Sequence, residues 1–439
     1  MRVLSRPVSR VTEVELLLLP SLITVVGLLT ILLVPRGRLE WSWGELRVSL
    51  MFIGVVAATS AGLSLFGVSG DQVLVPLTAM LSGLGLLMIQ RLRPALEERG
   101  PGYATLPDKH VLYLFGGFAL LWATAVFFRR HLDLLRRYKY TALLLSLGLM
   151  VVTFVFGAEI NGARLWIQIG PVQAQPSELA KITLVIFLAG YLDDKRDLIG
   201  STWRLGFLRL PPIPYLLPMA FMWVASLMVL VVQNDLGSAL LFFGIFMAML
   251  YVASNRVIYV VVGLMAFSAG SVLAYQLFDR IGVRVQNWLD PWQDPLVGGL
   301  QQIQSEYAIA SGGVLGSGLG RGQPWYIPEV HTDFVFSAIA EELGLLGAMA
   351  VIVITFLLVM RGYMIGLVAG DGFERLLAVG LATTLGVQTV IILGGVLRII
   401  PLTGITLPFI SYGGSSLITN FLLVGLLLAV SAAPKGSQR

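Results

Sequence analysis

His331, Asp333, Glu341 and Glu342 stand close together near the start of one long apolar segment. The stretch PEVHTDFVFSAIAEELGLLG (328–347) places His331 and Asp333 just before the apolar run, and Glu341 and Glu342 inside it. A carboxylate held partly away from water has a raised pKa, which suits a general base or acid that works near neutral pH. This stretch is therefore the first candidate for chemistry.

Helix capping is the competing explanation for Asp333. A small polar side chain at the start of a helix can accept the free backbone N–H groups there. Capping requires only one such residue, however, and it does not explain Glu341 and Glu342, which lie about two turns deeper. Asp333, Ser337 and Glu341 follow at four-residue steps and so share one helix face.

The composition is that of a helical membrane protein. Of the 439 residues, 56% are hydrophobic and 13% are charged, whereas soluble domains average about 25% charged residues. Several apolar runs reach about 18 residues, enough to cross a hydrocarbon core of roughly 30 Å. The lack of cysteine excludes disulfides, zinc–thiolate sites and cysteine nucleophiles. The net charge of +5 reflects charge in the loops and does not indicate nucleic-acid binding.

Hydropathy predicts an all-α polytopic fold of about twelve transmembrane helices, with both termini on one side. Basic residues crowd the loops at 129–139 and 195–209, and the positive-inside rule makes these loops and both termini cytoplasmic. The loop predicted at 91–110 departs from this rule, since it contains Arg91 and three further basic residues. The predicted spans are 15–34, 48–66, 72–90, 111–128, 139–157, 178–192, 212–232, 236–253, 256–278, 334–360, 376–398 and 414–433.

This topology sends a long segment, 279–332, to the extracytoplasmic side. Long segments between elements of a compact protein are usually functional or disordered. This one is rich in aromatic residues and contains the glycine-rich stretch SGGVLGSGLGRG (311–322). We therefore predict a folded lobe. Its glycines fit tight turns better than a phosphate cradle, because no strand precedes them.

Ionisable residues in or beside the spans are functional hypotheses, because burying them is costly. Most of them fall at the outer ends of their spans, as do the stretches 161–170 and 401–416. The predicted site is therefore extracytoplasmic. A transporter would instead place polar groups near the bilayer midplane. The ionisable residues are Glu178, Lys181, Asp235, Asp333, Glu341, Glu342 and Arg398.

Several of these residues have a structural alternative. Glu178 and Lys181, three apart in QPSELAK, can form an ion pair that locks two helices, or Lys181 can face a cavity and meet an anion. Asp235 at the start of a span is explained by helix capping. Trp166 in a short outer loop is ordinary for a membrane interface.

Taken together, the polar stretches resemble the SEDS family (shape, elongation, division and sporulation; RodA/FtsW-like). The resemblance implies a core of ten spans at 71–433, with 1–70 as a two-helix extension. Asn234, Ile392 and Arg398 depart from the family pattern. The matching pieces, in the family's order, are GARLWIQIGPVQAQPSELAK, QNDLGSALL, RVQNWLDPWQDP, QQIQSEYAIASGGVLGSGLGRG, IPEVHTDFVFSAIAEELGLLG and PLTGITLPFISYGGSS.

The resemblance implies a peptidoglycan glycosyltransferase that polymerises lipid II on the outer face of the bacterial cytoplasmic membrane. A class B penicillin-binding protein would cross-link the product beside it, and Asp333 would be catalytic. That chemistry requires one base for the acceptor hydroxyl and cations for the leaving diphosphate. We expect Glu341 and Glu342 to be structural or to pair with cations. The substrate-binding candidates are Arg164, Trp166, Gln175, Ser177, Glu178, Lys181, Arg284, Arg321, His331, Glu341 and Ser411.

Two other functions stay open from the sequence alone: a flippase for lipid-linked oligosaccharides, and a non-catalytic scaffold for a penicillin-binding protein. No metal-ligand spacing is visible, so we expect no metal site and no cofactor, and a divalent cation is the open alternative. We take RodA as the nearer branch of the family. The residues do not decide between a role in elongation and one in division.

Overall fold

The structure is a computed structural model of the chain. It describes residues 9–33, 43–160, 163–169, 172–196, 203–205, 208–210, 224 and 235–433. Within these residues, ten helices are long and apolar enough to cross a membrane. They confirm the prediction of a polytopic helical membrane protein.

Most of the described chain is helical. In chain order the α-helices are α1 (Val11–Leu33), α2 (Trp43–Leu65), α3 (Leu74–Glu97), α4 (Leu106–Phe128), α5 (Leu132–Arg137), α6 (Lys139–Phe156), α7 (Pro176–Asp194), α8 (Leu236–Ser254), α9 (Val257–Leu277), α10 (Asp279–Leu289), α11 (Leu300–Gly312), α12 (Val335–Val368), α13 (Gly372–Val396) and α14 (Gly414–Ser431). Short 3₁₀ helices lie at Pro101–Thr105, Pro291–Gln293 and Pro324–Tyr326.

The predicted spans correspond to these helices, with one exception that lies outside the described residues. The span predicted at 178–192 is α7, which begins with Pro176 in its first turn and contains four charged residues. The span predicted at 212–232 falls outside the described residues. The segment 279–332 is folded, as its aromatic content predicts, and contains α10 and α11.

The loop predicted at 91–110 is wrong in its boundaries. Helix α3 continues to Glu97, and helical structure resumes at Pro101. Arg91 therefore lies inside a helix, where its side chain is fully buried. It is not a loop charge, which removes one of the basic residues that contradicted the positive-inside rule.

A second correction concerns the predicted loop around Arg164, which forms a small antiparallel sheet. Strands β1 (Ala158–Ile160), β2 (Ala163–Ile169) and β3 (Val172–Ala174) pair in the order β1-β2-β3. In ARLWIQI, Arg164, Trp166 and Gln168 alternate with aliphatic residues, and such alternation is typical of a strand. A further hairpin pairs β4 (Trp203–Leu205) with β5 (Leu208–Leu210).

The chain forms two compact units. The first contains residues Met1–Arg129, Arg284–Arg361 and Gln388–Ala433, and the second contains Arg130–Val283, Gly362–Val387 and Pro434–Arg439. In the second unit, Asp235 caps α8, because its carboxylate accepts the backbone N–H of Ser238 at 2.9 Å. This contact agrees with the capping role predicted for Asp235.

In the first unit, a buried polar network joins the N-terminal extension to the core. Arg10 forms an ion pair with Glu13 and donates to the carbonyl of Val68 at 2.7 Å and that of Asp71 at 2.9 Å. The hydroxyl of Ser60 donates to Glu13 at 2.6 Å. These contacts place the start of α1, the end of α2 and the start of α3 at one end of the unit, as the predicted parity of the spans requires.

Helix α12 is broken, and the glycine strap (residues 312–322) fills the break. At Gly344 the backbone turns to φ 65°, ψ −167°. Beyond the break, the amide of Leu345 donates to the carbonyl of Gly313 at 2.9 Å. On the other side of the break, the amide of Gly318 donates to the carbonyl of Glu342 at 3.0 Å. The strap therefore satisfies backbone groups that an apolar environment could not hydrate.

Candidate active site

Asp333 lies in a tight turn immediately before α12. The backbone amides of Thr332 and Asp333 both donate to the carbonyl of Glu329 at 3.1 Å, and Glu329 itself takes a left-handed backbone with φ 52°. Helix α12 then begins at Val335. The turn holds the Asp333 carboxylate at the end of the helix, half-buried.

A polar cavity of about 220 Å³ opens beside this carboxylate. Gly404, which has φ +75°, forms part of its wall, and a methyl group there would lie 3.7 Å from an oxygen of Asp333. The cavity combines one carboxylate, one guanidinium, several amide side chains and an indole ring. Its lining residues are Arg284, Asn287, Trp288, Gly298, Gln301, Gln302, Asp333, Leu402 and Gly404.

Burial raises the pKa of Asp333 to about 6. The hydrogen bond from the Thr332 side chain and the positive charge of Arg284 lower this pKa, whereas the negative charge of Glu329 raises it further. A carboxyl group with a pKa of about 6 is mainly ionised at neutral pH and is still basic enough to accept a proton efficiently. This combination is what a general base requires.

Three residues of α10 supply one wall of the cavity. Arg284, Asn287 and Trp288 lie three and four positions apart, so they share one face of the helix. The guanidinium of Arg284 donates to the carbonyl of Thr403 at 3.4 Å. The structure therefore brings the predicted residues Arg284 and Asp333 together at one cavity.

Asn287, Gln301, Gln302 and Gly404 were not predicted as site residues. All four lie within the stretches that carry the family resemblance, so the sequence did contain a signal for them. Amide side chains in the predicted extracytoplasmic segment could have been selected on that ground. The position of Gly404 against Asp333 depends on a contact between distant parts of the chain and had no local signal.

His331 and Ser411 hold the Asp333 turn and are not among the residues that line this cavity. The buried His331 ring packs against the rings of Tyr103 and Tyr412, at centroid distances of 5.6 and 5.9 Å. Burial lowers the pKa of His331. The hydroxyl of Ser411 donates to the carbonyl of Thr332 at 2.5 Å. Both residues were predicted to bind substrate, and this stays a prediction; in the structure they contact the turn that carries Asp333.

Glu341 and Glu342 anchor the glycine strap. Glu341 accepts the backbone amide of Gln323 at 2.6 Å, and Glu342 accepts that of Gly320 at 2.9 Å. Glu342 also pairs with Arg91 at 2.7 Å, and both of these side chains are fully buried. These contacts agree with the structural or cation-pairing roles expected for both acids, and substrate binding by Glu341 stays a prediction. Arg321, also in the strap, is exposed.

The remaining predicted residues belong to the second unit. Arg164 is exposed on β2, where Trp166 is half-buried, and Gln175 directly precedes α7. Ser177, Glu178 and Lys181 are buried in the first turns of α7. The ammonium group of Lys181 pairs with Glu178 at 2.6 Å, which is the ion-pair geometry that the sequence offered as one alternative.

A buried amide supports the loop that carries Gly404. Gln388 in α13 donates to the carbonyl of Thr406 at 2.9 Å, and the hydroxyl of Thr406 donates to Ser416 at 2.6 Å. Gln388 lies about one turn before Ile392, the position at which the sequence departs from the family's polar residue. The polar group near this loop is therefore present, one turn earlier in the helix.

Comparison with known proteins identifies the family. The model of the cell cycle protein family FtsW/RodA/SpoVE matches residues 72–436. The chain belongs to this family. The peptidoglycan glycosyltransferase RodA of Mycobacterium tuberculosis is 37% identical over 430 residues, which cover 97% of this chain and 91% of the relative. The probable peptidoglycan glycosyltransferase FtsW of Geobacter metallireducens is 35% identical and covers 84% of this chain and 96% of its own length.

A solved structure of the family agrees with the fold. It is described as showing the structural coordination of polymerization and crosslinking by a peptidoglycan synthase complex. One of its chains is 33% identical to this protein, with a TM-score of 0.67, and the match covers 83% of this chain and 98% of the other. The mycobacterial relative also spans most of residues 1–70, since it covers 97% of the chain, whereas the family model begins at 72.

Proposed function

We propose that this protein is a peptidoglycan glycosyltransferase that polymerises lipid II, with Asp333 as its general base. The observation that carries the proposal is the half-buried Asp333 carboxylate, whose pKa is raised to about 6, in a polar cavity that Arg284 also lines. Family membership supplies the reaction class. The cavity supplies a base for the acceptor and a cation for the leaving group.

The reaction is a single displacement at an anomeric carbon. A sugar hydroxyl of the acceptor transfers its proton to Asp333 as its oxygen attacks the anomeric carbon of the donor. The bond between that carbon and the diphosphate oxygen breaks, and its electron pair leaves with the diphosphate. Attack from the opposite face inverts the centre, from the α-linked donor to a β-linked glycan.

Arg284 is the cation that we assign to the diphosphate. A guanidinium beside a developing negative charge stabilises the transition state, most strongly where water is excluded. Of the four arginine and lysine residues among the predicted substrate-binding candidates, Arg284 is the one that lines the same cavity as Asp333. Arg164 and Arg321 are exposed, and Lys181 is engaged with Glu178.

The location of Asp333 fits a substrate whose sugars are attached to a lipid chain. The carboxylate lies at the end of α12, one of the ten helices suited to crossing the membrane. In the topology with cytoplasmic termini, this end of α12 is extracytoplasmic. The lipid chain of the donor can then remain in the bilayer while its sugars reach the cavity. The displacement needs no cofactor, and a divalent cation at the diphosphate is the alternative to Arg284 alone.

The partner and the organisation follow from the same proposal. The protein works in the bacterial cytoplasmic membrane beside a class B penicillin-binding protein, which cross-links the glycan that it makes. A related chain belongs to a complex that coordinates polymerization and crosslinking, and this supports the assignment. Residues 71–433 form the catalytic core with its extracytoplasmic segment 279–332, and residues 1–70 form an added two-helix extension.

Substitution of Asp333 by Asn tests the proposal directly. The amide keeps the size of the side chain but accepts no proton, so we expect polymerisation of lipid II to fall by about 10²–10⁴-fold. Expression, lipid II binding and partner binding should be retained. Glycan strands made by the purified wild type and by the variant, each with the partner present, are separated on a gel and quantified.

Two results would contradict the proposal. Activity of Asp333→Asn within a few-fold of the wild type would remove Asp333 as the base. A folded wild-type protein that makes no polymer with its partner, yet moves lipid II across the bilayer of liposomes, would instead establish a flippase.

A further inference from the structure

Arg398 occupies a backbone position that favours glycine. It follows the last residues of α13, where its amide donates to the carbonyl of Gly395 at 3.2 Å and that of Ile399 donates to Gly394 at 2.7 Å. This pair of bonds is the Schellman motif that ends many helices, and its left-handed residue is usually glycine. Arg398 takes this conformation with φ 57°. A side chain at this position carries a conformational cost that glycine avoids.

The guanidinium of Arg398 contacts the end of α10. Its Nε donates to the carbonyl of Trp288 at 2.7 Å, and its Nη2 donates to that of Leu289 at 2.8 Å. The last carbonyls of a helix lack partners within the helix and carry the negative end of its dipole, so a cation there is favourable. The contact is reciprocal, because the indole N–H of Trp288 donates to the carbonyl of Arg398 at 3.0 Å. Glu306 of α11 lies 3.4 Å from the guanidinium.

These contacts fix one wall of the cavity against another. Residues 398–404 are tied to α10 at two points, since Arg284 donates to the carbonyl of Thr403 and Arg398 binds the last turn of the helix. Asn287 lies between these two contacts on α10, and Trp288 forms part of the contact with Arg398; both line the cavity. Gly404, which directly follows Thr403, lies against the Asp333 carboxylate.

We infer that Arg398 is a positioning residue, which holds α10 so that Arg284, Asn287 and Trp288 face Asp333 across the cavity. The inference rests on the proposed function and deepens it. Arg398 does not line the cavity and touches no reacting atom. The contacts of Arg398 with α10, which we call the clamp, explain why an arginine stands at a position that favours glycine.

Replacement of Arg398 by Gly removes the side-chain contacts with α10 and keeps the left-handed backbone. Glycine fits the left-handed backbone at least as well, so the C-terminus of α13 should stay intact and Tm should change by no more than a few degrees. We expect kcat for lipid II polymerisation to fall by about 10- to 100-fold, with a smaller change in KM, because the reacting groups are misplaced after binding. The matched control is Asn255→Gly, which places glycine at another left-handed helix end, with φ 53° at the C-terminus of α8.

Two further readouts distinguish positioning from a merely structural role. The acid limb of the pH–rate profile should move to higher pH, because Arg284 lowers the pKa of Asp333 only while it is held nearby. Hydrogen exchange in segment 284–290 should accelerate relative to the wild type and to Asn255→Gly. If Arg398→Gly does not fold, Arg398→Lys takes its place, since one ammonium group cannot reproduce the fork that binds two carbonyls.

The inference is overturned if the variant keeps kcat within two-fold of the wild type, or if kcat falls while exchange over 284–290 and the acid limb are unchanged. Failure of the proposed function has a different signature. An inactive wild-type protein would remove the polymerase assignment, whereas the exchange experiment would still decide whether Arg398 holds α10.

Discussion

At the scale of single residues, the raised pKa of Asp333 makes the reaction sensitive to pH. A base whose pKa is about 6 is protonated below that pH and cannot accept the proton of the acceptor hydroxyl. We expect kcat/KM to fall about tenfold per pH unit below about pH 6 and to level off above it. Polymerisation measured across this range with the wild type, at constant ionic strength, checks the prediction. A flat profile through about pH 6 would show that another group limits the rate.

The same shift predicts that Asp333 lowers stability at neutral pH. The folded protein binds the proton of Asp333 at a pH where the unfolded chain, with a pKa near the usual 3.8, has lost it. The contribution of Asp333 to the free energy of unfolding is therefore most favourable below the unfolded pKa, and it is lost as the pH rises to about 6. Asp333→Asn should have a Tm at about pH 7.5 that equals or exceeds that of the wild type. A clear decrease in Tm would indicate that the carboxylate is held by hydrogen bonds that outweigh its burial.

The Glu178–Lys181 pair is expected to stabilise α7 and its surroundings. Removing one partner leaves the other charge buried, which typically costs about 3–5 kcal/mol, whereas removing both is far less costly. In a double-mutant cycle of Glu178→Gln and Lys181→Met, the double variant should therefore be more stable than the sum of the single changes implies. Thermal unfolding measures this coupling, and polymerisation assays are run in parallel. Strictly additive losses of Tm, together with a raised KM in Lys181→Met, would return Lys181 to substrate binding.

At the scale of elements, one buried ion pair lies beside the break in α12. Arg91 of α3 joins Glu342 on α12 and also donates to the carbonyl of Gly322 in the glycine strap at 2.9 Å. Arg91→Met should lower stability by about 3–5 kcal/mol, because it leaves the Glu342 carboxylate buried without its cation. The matched control is Arg93→Met on the same helix, whose pair with Glu97 at 3.6 Å is partly exposed and should matter by less than about 1 kcal/mol.

Differential scanning fluorimetry of the two variants in detergent checks this prediction. Equal Tm values for Arg91→Met and Arg93→Met would show that the strap holds α12 without the ion pair. The double variant Arg91→Met/Glu342→Met provides a second comparison. It should recover part of the loss, since it removes the uncompensated charge.

The sequence predicted the elements better than the contacts between them. Hydropathy located the membrane helices, because a span must be apolar over its whole length. It also suggested Asp333 and the face that surrounds it. The pairing of Arg91 with Glu342 joins positions 251 residues apart and leaves no local pattern. The left-handed backbone of Arg398 was equally invisible, since only the folded chain shows that an arginine stands where glycine is usual.

At the scale of the whole molecule, the two N-terminal helices are joined to the core at the end of the first unit that we assign to the cytoplasm. Asp71, just before α3, forms an ion pair with Arg361, and its amide donates to the hydroxyl of Ser431 at 2.9 Å. Together with the Arg10–Glu13 pair, these contacts gather the ends of α1, α2, α3, α12 and α14. Because the Arg10–Glu13 pair is buried and costly to open, the extension should move with the core.

This grouping of ends makes the topology testable with single cysteines, because the native chain contains none. Leu296 lies in the segment assigned to the extracytoplasmic side and is 80% exposed. Ser69 is exposed in the connection between α2 and α3, at the end that we assign to the cytoplasm. In intact cells, a membrane-impermeant maleimide should label Leu296→Cys and should leave Ser69→Cys unlabelled until the membrane is permeabilised. The reverse pattern would place Asp333 on the cytoplasmic side, where a polymerase of exported lipid II could not work, and it would refute the proposed function together with the topology.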